Sequence, residues 1–254
     1  MSLCILQITD LHLFRDPGQC LRGVATEDSF RRVLQLAQQR FAHADWVVLT
    51  GDLAHDEERD TYRRLREALG DWLPRCLLLP GNHDQRALLR EVFPDRVGGG
   101  DGPVTFTTRL GDWQLVGLDS HQPGQVSGRL GHDQLQWLNT HLAPDAPSLL
   151  FLHHPPFPVH SPWLDAIRLE DGDVFMQLVA ARPQVRAVCC GHVHQELEAW
   201  HGPVRLLASP STSLQFQPGT DALAIAPHQP GFRVLTLDGD ALSTEIVRVS
   251  QAAP

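Results

Sequence analysis

Arg186-Ala-Val-Cys-Cys-Gly-His-Val-His194 joins an apolar run to a pair of histidines. After Arg186 it carries no charge, and small, β-branched and sulfur side chains run on to Cys190. That is the composition of a short strand buried on both faces. Gly191 ends the strand, and two histidines follow with one residue between them. In an extended segment alternate residues share a face, so His192 and His194 point the same way. Two imidazoles at the mouth of a buried strand suit one divalent metal ion or two adjacent ones. Read alone, the pair serves equally well as surface loop histidines. The rest of the chain decides, because the same pattern returns after four other strands.

Leu3-Cys-Ile-Leu-Gln-Ile-Thr9 reads as a strand, with Asp10-Leu-His12 at its carboxyl end. Thr26 offers an N-cap for a helix to about Ala42, in which Phe30, Val33, Leu34, Leu36, Ala37 and Phe41 recur at helical spacing. Trp46-Val-Val-Leu-Thr50 is a second strand and ends in Gly51-Asp52. A charged helix from Glu57 reaches Gly70, a suitable C′ residue. Cys76-Leu-Leu-Leu79 is a third strand, running into Pro80-Gly-Asn-His-Asp84. Strand, polar turn and helix in alternation predict a layered α/β fold. In such folds ligands gather at the carboxyl ends of strands.

The middle is less regular. Val104 to Leu110 and Trp113 to Leu118 predict a hairpin around Gly111-Asp112, hence antiparallel strands within mixed sheets. A helix is expected around Asp133 to Leu142, then a buried strand Leu149-Leu-Phe-Leu152 that delivers His153-His154-Pro-Pro156. A helix around Asp173 to Ala181 leads back to the opening stretch. From 195 to 254 the pattern is strands and turns: Glu196 to Trp200 with Val204 to Ala208, and Phe232 to Leu237 with Leu242 to Val249. No linker or internal repeat breaks the chain, so 1–254 is expected to be one domain with 195–254 its β-rich C-terminal part.

At 254 residues the chain can bury a sizeable core. The net charge is −9, and no basic run marks a nucleic-acid groove. An acidic protein can still take a small phosphate when metal ions supply the positive charge. The five cysteines are odd in number, and Cys4, Cys76, Cys189 and Cys190 lie in apolar runs, which favours reduced thiols over disulfides. The N-terminus has no basic stretch followed by an apolar one, and no apolar run approaches membrane-spanning length. A soluble cytoplasmic protein is expected, with neither nucleic-acid polymer nor membrane as partner.

Five strand ends thus carry Asp10 and His12, Asp52, Asn82 and His83, His153 and His154, and His192 and His194. Carboxylate, imidazole and amide ligands without thiolate suit Mn, Fe, Zn or Co. The number fits two divalent ions bridged by one carboxylate, which at about 3.5–4 Å separation can hold a bridging hydroxide and a phosphoryl oxygen together.

These motifs, Asp-x-His, Gly-Asp, Gly-Asn-His-Asp, His and Gly-His-x-His, resemble the calcineurin-like metallophosphoesterases, and the resemblance covers nearly the whole chain. Leu6-Gln-Ile-Thr-Asp-Leu-His-Leu-Phe14, Gly51-Asp-Leu-Ala54, Leu79-Pro-Gly-Asn-His-Asp84 and Cys190-Gly-His-Val-His-Gln-Glu-Leu197 are similar to the bacterial class III cyclic-AMP phosphodiesterases. So is the tail Leu206-Leu-Ala-Ser-Pro-Ser-Thr-Ser-Leu-Gln-Phe-Gln-Pro218, with Pro230-Gly-Phe-Arg233. The resemblance implies an αββα four-layer sandwich: two mixed β-sheets flanked by helices, with a dimetal site at the rim. It implies one metal on Asp10, His12 and His194, the other on Asn82, His153 and His192, and Asp52 bridging. His83 would contact the phosphate and protonate the leaving oxygen. Asn82, His154 and His194 would also border the substrate, His154 from behind the ligands. The implied reaction is hydrolysis of 3′,5′-cyclic AMP to 5′-AMP by a metal-activated hydroxide attacking phosphorus.

Two other readings stand beside it: a broader phosphodiesterase or phosphomonoesterase acting on glycerophosphodiesters or nucleotides, and a non-catalytic metal- or nucleotide-binding protein. Ala25 stands where relatives often have a polar side chain. His55 is read as a rim residue, and His121, His132 and His160 carry no assigned role. Trp163 and Leu164 could cover the site or meet another subunit, which leaves a homodimer open.

Overall fold

A computed structural model describes residues 2–250; Met1 and residues 251–254, the ends of the expected domain, lie outside the described residues. In chain order the elements are β1 (Leu3–Ile8), β2 (Cys20–Leu21), β3 (Val24–Ala25), α1 (Thr26–Arg40), β4 (Trp46–Thr50) and α2 (Arg59–Leu69). A 3-10 turn follows, then β5 (Cys76–Leu79), α3 (Arg86–Val92), β6 (Phe106–Leu110), β7 (Trp113–Gly117) and α4 (Gly131–His141). The second half holds β8 (Ser148–Phe151), α5 (Pro162–Asp165), α6 (Gly172–Ala180), β9 (Val185–Cys190), β10 (Leu197–His201) and β11 (Val204–Ala208). The short pair β12 (Gln215–Phe216) and β13 (Ile225–Ala226) precedes β14 (Gly231–Asp238) and β15 (Ala241–Arg248).

The strands build a five-stranded sheet, ordered β15-β14-β1-β4-β5, and a six-stranded sheet, ordered β10-β11-β9-β8-β7-β6. Both are mixed. β1, β4 and β5 run parallel, while β14 pairs antiparallel with β1. In the second sheet β7, β8, β9 and β11 run parallel, with β6 and β10 antiparallel at the edges.

The uninterrupted apolar runs have a simple cause. Successive strand residues face opposite sides of a sheet, and here both sides are covered. In β4, Val47 and Leu49 face helices α1 to α3, while Val48 faces the other sheet. In β8, Leu149 and Phe151 face the first sheet, while Leu150 packs with α4 and α6. Ile5, Val48, Leu79, Leu115, Phe151 and Cys189 form the seam between the sheets. The result is the four-layer helix–sheet–sheet–helix arrangement that the sequence implied.

Three local expectations differ. Thr26 is the first residue of α1, not its cap; the cap position is Ala25, and no side chain bonds the free N–H groups there. A polar cap at that position would stabilise the helix by about 1 kcal/mol. The short α3 was not foreseen, because its seven residues bury only Leu89 and Val92. The turn Leu21-Arg22-Gly23-Val24 closes a two-residue hairpin between β2 and β3 that was also unexpected.

Candidate active site

Because β1, β4 and β5 are parallel, as are β7, β8 and β9, their carboxyl ends meet along one rim of the sandwich. Asp10, His12, Asp52, Asn82, His83, His153, His192 and His194 all come together there. Asp52 lies at the centre. Its Oδ2 is 3.6 Å from His12 Nε2, and its Oδ1 is 3.4 Å from His153 Nε2. One carboxylate therefore offers an oxygen to each of two histidine groups. On the first side, His12 Nε2 stands 3.0 Å from His194 Nε2, which stands 3.3 Å from Asp10 Oδ1. On the second, His153 Nε2 stands 3.3 Å from Asn82 Oδ1, with the His192 ring 5.2 Å from that of His153.

The backbone is strained at these positions. Asp10, His12, Asp52, His192 and His194 all have positive φ, between 47° and 67°. Non-glycine residues seldom adopt that conformation, and strain of this kind collects at functional sites. The surrounding hydrogen bonds hold it. Asp10 N donates to Gly51 O, and His12 N donates to Asp52 O. His192 N donates to the Asp10 carboxylate, and His83 N to Asp52 Oδ1. Gly81 has no substitute here: a Cβ would run into the Asp52 carboxylate and backbone.

The electrostatics tie the carboxylates to the imidazoles around them. Burial opposes ionisation of Asp52, yet His153 and His12 outweigh it and hold the carboxyl well below its ordinary value. Asp10 is likewise held down, burial being outweighed by His194 and then His153. Burial lowers a histidine pKa, but at His153 the Asp52 charge overrides it and lifts the value to about 9. At His192 burial, then His153, depresses it to about 3. The two buried carboxylates thus draw on the imidazoles around them for positive charge. His192 Nε2 is moreover buried without a hydrogen-bond partner among the described residues. An all-oxygen-and-imidazole donor set with an orphaned ring nitrogen fits divalent metal ions.

Several supporting residues were not singled out from sequence. Asp84 is fully buried and accepts hydrogen bonds from Leu53 N, Ala54 N, Gly81 N and the Tyr62 hydroxyl. It ties the loop carrying Asp52 to the loop carrying Asn82. Burial, then the Asp52 charge, raises its carboxyl to about 6. The tail from Ser209 acts as a buttress. Ser211 Oγ donates to Asp10 O, His194 Nδ1 lies 2.9 Å from Leu214 O, and the Phe216 ring stacks on His194 at 4.2 Å. Its Ser-rich composition could have signalled this, because short hydroxyl side chains bond readily to backbone.

A cavity of about 310 Å³ opens over the rim. Its lining joins the polar His12, Asp52, Asn82, His83, His192 and His194 to the apolar Trp163, Leu164, Ile167, Leu214, Phe216 and Leu223. Trp163 and Leu164 thus line the cavity over the cluster. Arg22 also lines the cavity, and its side chain has no hydrogen bond or ion pair among the described residues. One expectation needs correction: His154 does not border the cavity. It is fully buried, its Nδ1 is 2.8 Å from Ser120 Oγ, and its Nε2 is 3.0 Å from Val126 O. His55 lies at the rim: it is half-buried, lines the cavity and stacks on His83.

Comparisons with known proteins agree with this geometry. Residues 4–196 match the family model described as calcineurin-like phosphoesterase. The chain is 38% identical over 250 residues to the 3′,5′-cyclic adenosine monophosphate phosphodiesterase CpdA of Escherichia coli strain K12, covering 97% of this chain and 90% of that one. It is 36% identical to the CpdA of Vibrio vulnificus strain CMCP6, covering 99% and 92%. Among solved structures, a dimetal phosphatase from Danio rerio superposes with a TM-score of 0.67 at 16% identity, covering 98% and 99%, a likeness of fold. The chain belongs to the calcineurin-like phosphoesterase family.

Proposed function

We propose that this protein hydrolyses 3′,5′-cyclic AMP to 5′-AMP at a dimetal centre. The observation that carries the reading is the central Asp52, with one oxygen toward His12 and the other toward His153. Relatives named for the same reaction, similar over nearly their whole length, support the choice of substrate. Asp10, His12 and His194 would hold one ion, and Asn82, His153 and His192 the other, with Asp52 between them. When bound, two divalent ions at such a centre supply Lewis-acid charge for phosphoryl oxygens and acidify water. Which of Fe, Mn, Zn or Co is native depends on availability in the cell.

The chain's own side chains do the rest. His83 lines the cavity beside Asp52, with its backbone N–H anchored on Asp52 Oδ1 at 2.9 Å. From there its imidazole contacts the phosphodiester and passes a proton to the departing 3′-oxygen. Asn82 and His194 border the same phosphate. Arg22 sits in a two-residue turn whose central positions, Arg22 and Gly23, both have positive φ. Asparagine or glycine fills such positions most readily, so an arginine there serves something other than the turn. It holds the anionic diester from across the cavity. The apolar wall from Trp163 to Leu223 takes the nucleoside and keeps water from the reacting face. His154 serves from behind, steadying the Val126 and Ser120 loops.

The C-terminal part belongs to the same domain in this reading, since its Ser211 and Phe216 brace Asp10 and His194. Five unpaired cysteines, three of them buried, support a cytoplasmic location; no helix among the described residues is long and apolar enough to cross a membrane. Hydrolysis of cyclic AMP to 5′-AMP by the metal-loaded protein tests the proposal, and inert protein overturns it.

A further inference from the structure

We propose that His55 is a positioning residue: it fixes the tautomer and ring plane of His12, and the same ring sets the plane of His83. The inference rests on reading His12 as a metal ligand. It starts from the two nitrogens of His12. Nε2 faces the centre, 3.0 Å from His194 Nε2 and 3.6 Å from Asp52 Oδ2. A nitrogen that ligates a metal is bare, and a neutral imidazole carries one N–H. The hydrogen of His12 must therefore sit on Nδ1.

His12 Nδ1 lies 3.1 Å from His55 Nδ1, and no other partner of that atom is present among the described residues. Two ring nitrogens at that distance need one donor and one acceptor. With His12 donating, His55 Nδ1 is the bare acceptor and its hydrogen is on Nε2. A metal-bound histidine whose second nitrogen donates to an outer partner is held in orientation and made more basic. A carboxylate or carbonyl commonly fills that role; here an imidazole does.

The His55 ring is itself clamped. Its backbone N–H donates to Leu13 O at 2.7 Å, in the segment next to His12. The Phe14 ring lies 4.7 Å away, and the His83 ring stacks at 4.4 Å with 20° between planes. One side chain thus touches both a ligand of the first ion and the proposed proton donor. A glutamine of similar reach offers an amide oxygen to the same N–H. Phenylalanine keeps the stack on His83 and offers nothing to His12.

The test uses the full chain stripped with a chelator and titrated with Mn²⁺ alone, by calorimetry or by the electron-spin signal of free Mn²⁺. His55→Phe and His55→Ala are expected to weaken Mn²⁺ binding about 10–100-fold, while His55→Gln keeps most of the affinity. Nitrogen NMR of the imidazoles should find His12 protonated on Nδ1 in the parent and in His55→Gln. Parent-like Mn²⁺ affinity in His55→Phe, or His12 protonated on Nε2 in the parent, overturns the inference while leaving the metal centre standing. A parent protein that takes up no Mn²⁺ overturns the metal reading and this inference with it. His55→Gln decides the matter should His55→Ala fail to fold: a loss of Mn²⁺ binding as large as in His55→Phe contradicts the acceptor role.

Discussion

Asp52 and His153 leave different sheets and meet with 3.4 Å between carboxylate oxygen and ring nitrogen. Asp52 follows β4 of the five-stranded sheet, and His153 follows β8 of the six-stranded one. The contact spans the seam of the sandwich, so the centre exists only when both sheets are docked. Replacing Asp52 by alanine removes the one side chain common to both halves. Asp52→Ala should lose bound metal and turnover together while keeping its circular dichroism, with metal counted by elemental analysis. Normal turnover in that variant would refute the bridging role.

His83 is a different case, because its side chain ligates nothing in this account. His83→Ala is expected to retain both metal ions and to lose about 10²–10⁴-fold in kcat, the usual worth of a placed general acid. Elemental analysis beside steady-state kinetics separates the two. A His83→Ala protein that fails to load metal would make His83 a ligand.

Asp84 does not line the cavity, yet it holds the two loops that do. Asparagine there would present an amide NH₂ to donors that now share a carboxylate. Each buried N–H left without an acceptor costs roughly 1–3 kcal/mol. Asp84→Asn should therefore lose at least that much stability in urea unfolding, and bind metal more weakly. Unchanged stability would show that the Leu53, Ala54 and Gly81 N–H groups find other partners.

Arg22 supplies the arginine charge on the cavity wall. Arg22→Gln keeps the turn and removes one charge-assisted contact, worth about 1.5 kcal/mol. KM for the diester should rise about tenfold with kcat nearly unchanged, an effect that shrinks at high salt. Equal KM values for parent and variant would place Arg22 outside the binding site.

Much of this was legible in the chain itself. Runs such as Leu149-Leu-Phe-Leu152 announce strands covered on both faces, and the polar residue after each run is the one that reaches the rim. What stayed hidden depends on tertiary neighbours. His55 looks like any loop histidine until the fold stacks it on His83 and brings the Phe14 ring beside it. His154 is adjacent to His153 and indistinguishable from it in composition, and its ring packs against both His153 and His192, yet its two nitrogens are taken up by Ser120 and Val126. Asp84 was visible inside Gly-Asn-His-Asp, but only the fold brings Leu53, Ala54 and Tyr62 around it. The tail, similar to cyclic-AMP phosphodiesterases and carrying none of the implied metal ligands, proves to be the brace for Asp10 and His194.

In the proposed function the cavity above the metal centre is built for a cyclic nucleotide. The direct measurement is kcat/KM for 3′,5′-cyclic AMP against bis-p-nitrophenyl phosphate, on protein reloaded with Mn²⁺. The account predicts a clear preference for cyclic AMP, with 5′-AMP as product. Good turnover of the generic diester with poor turnover of cyclic AMP would contradict it, leaving a dimetal phosphodiesterase whose substrate is something else.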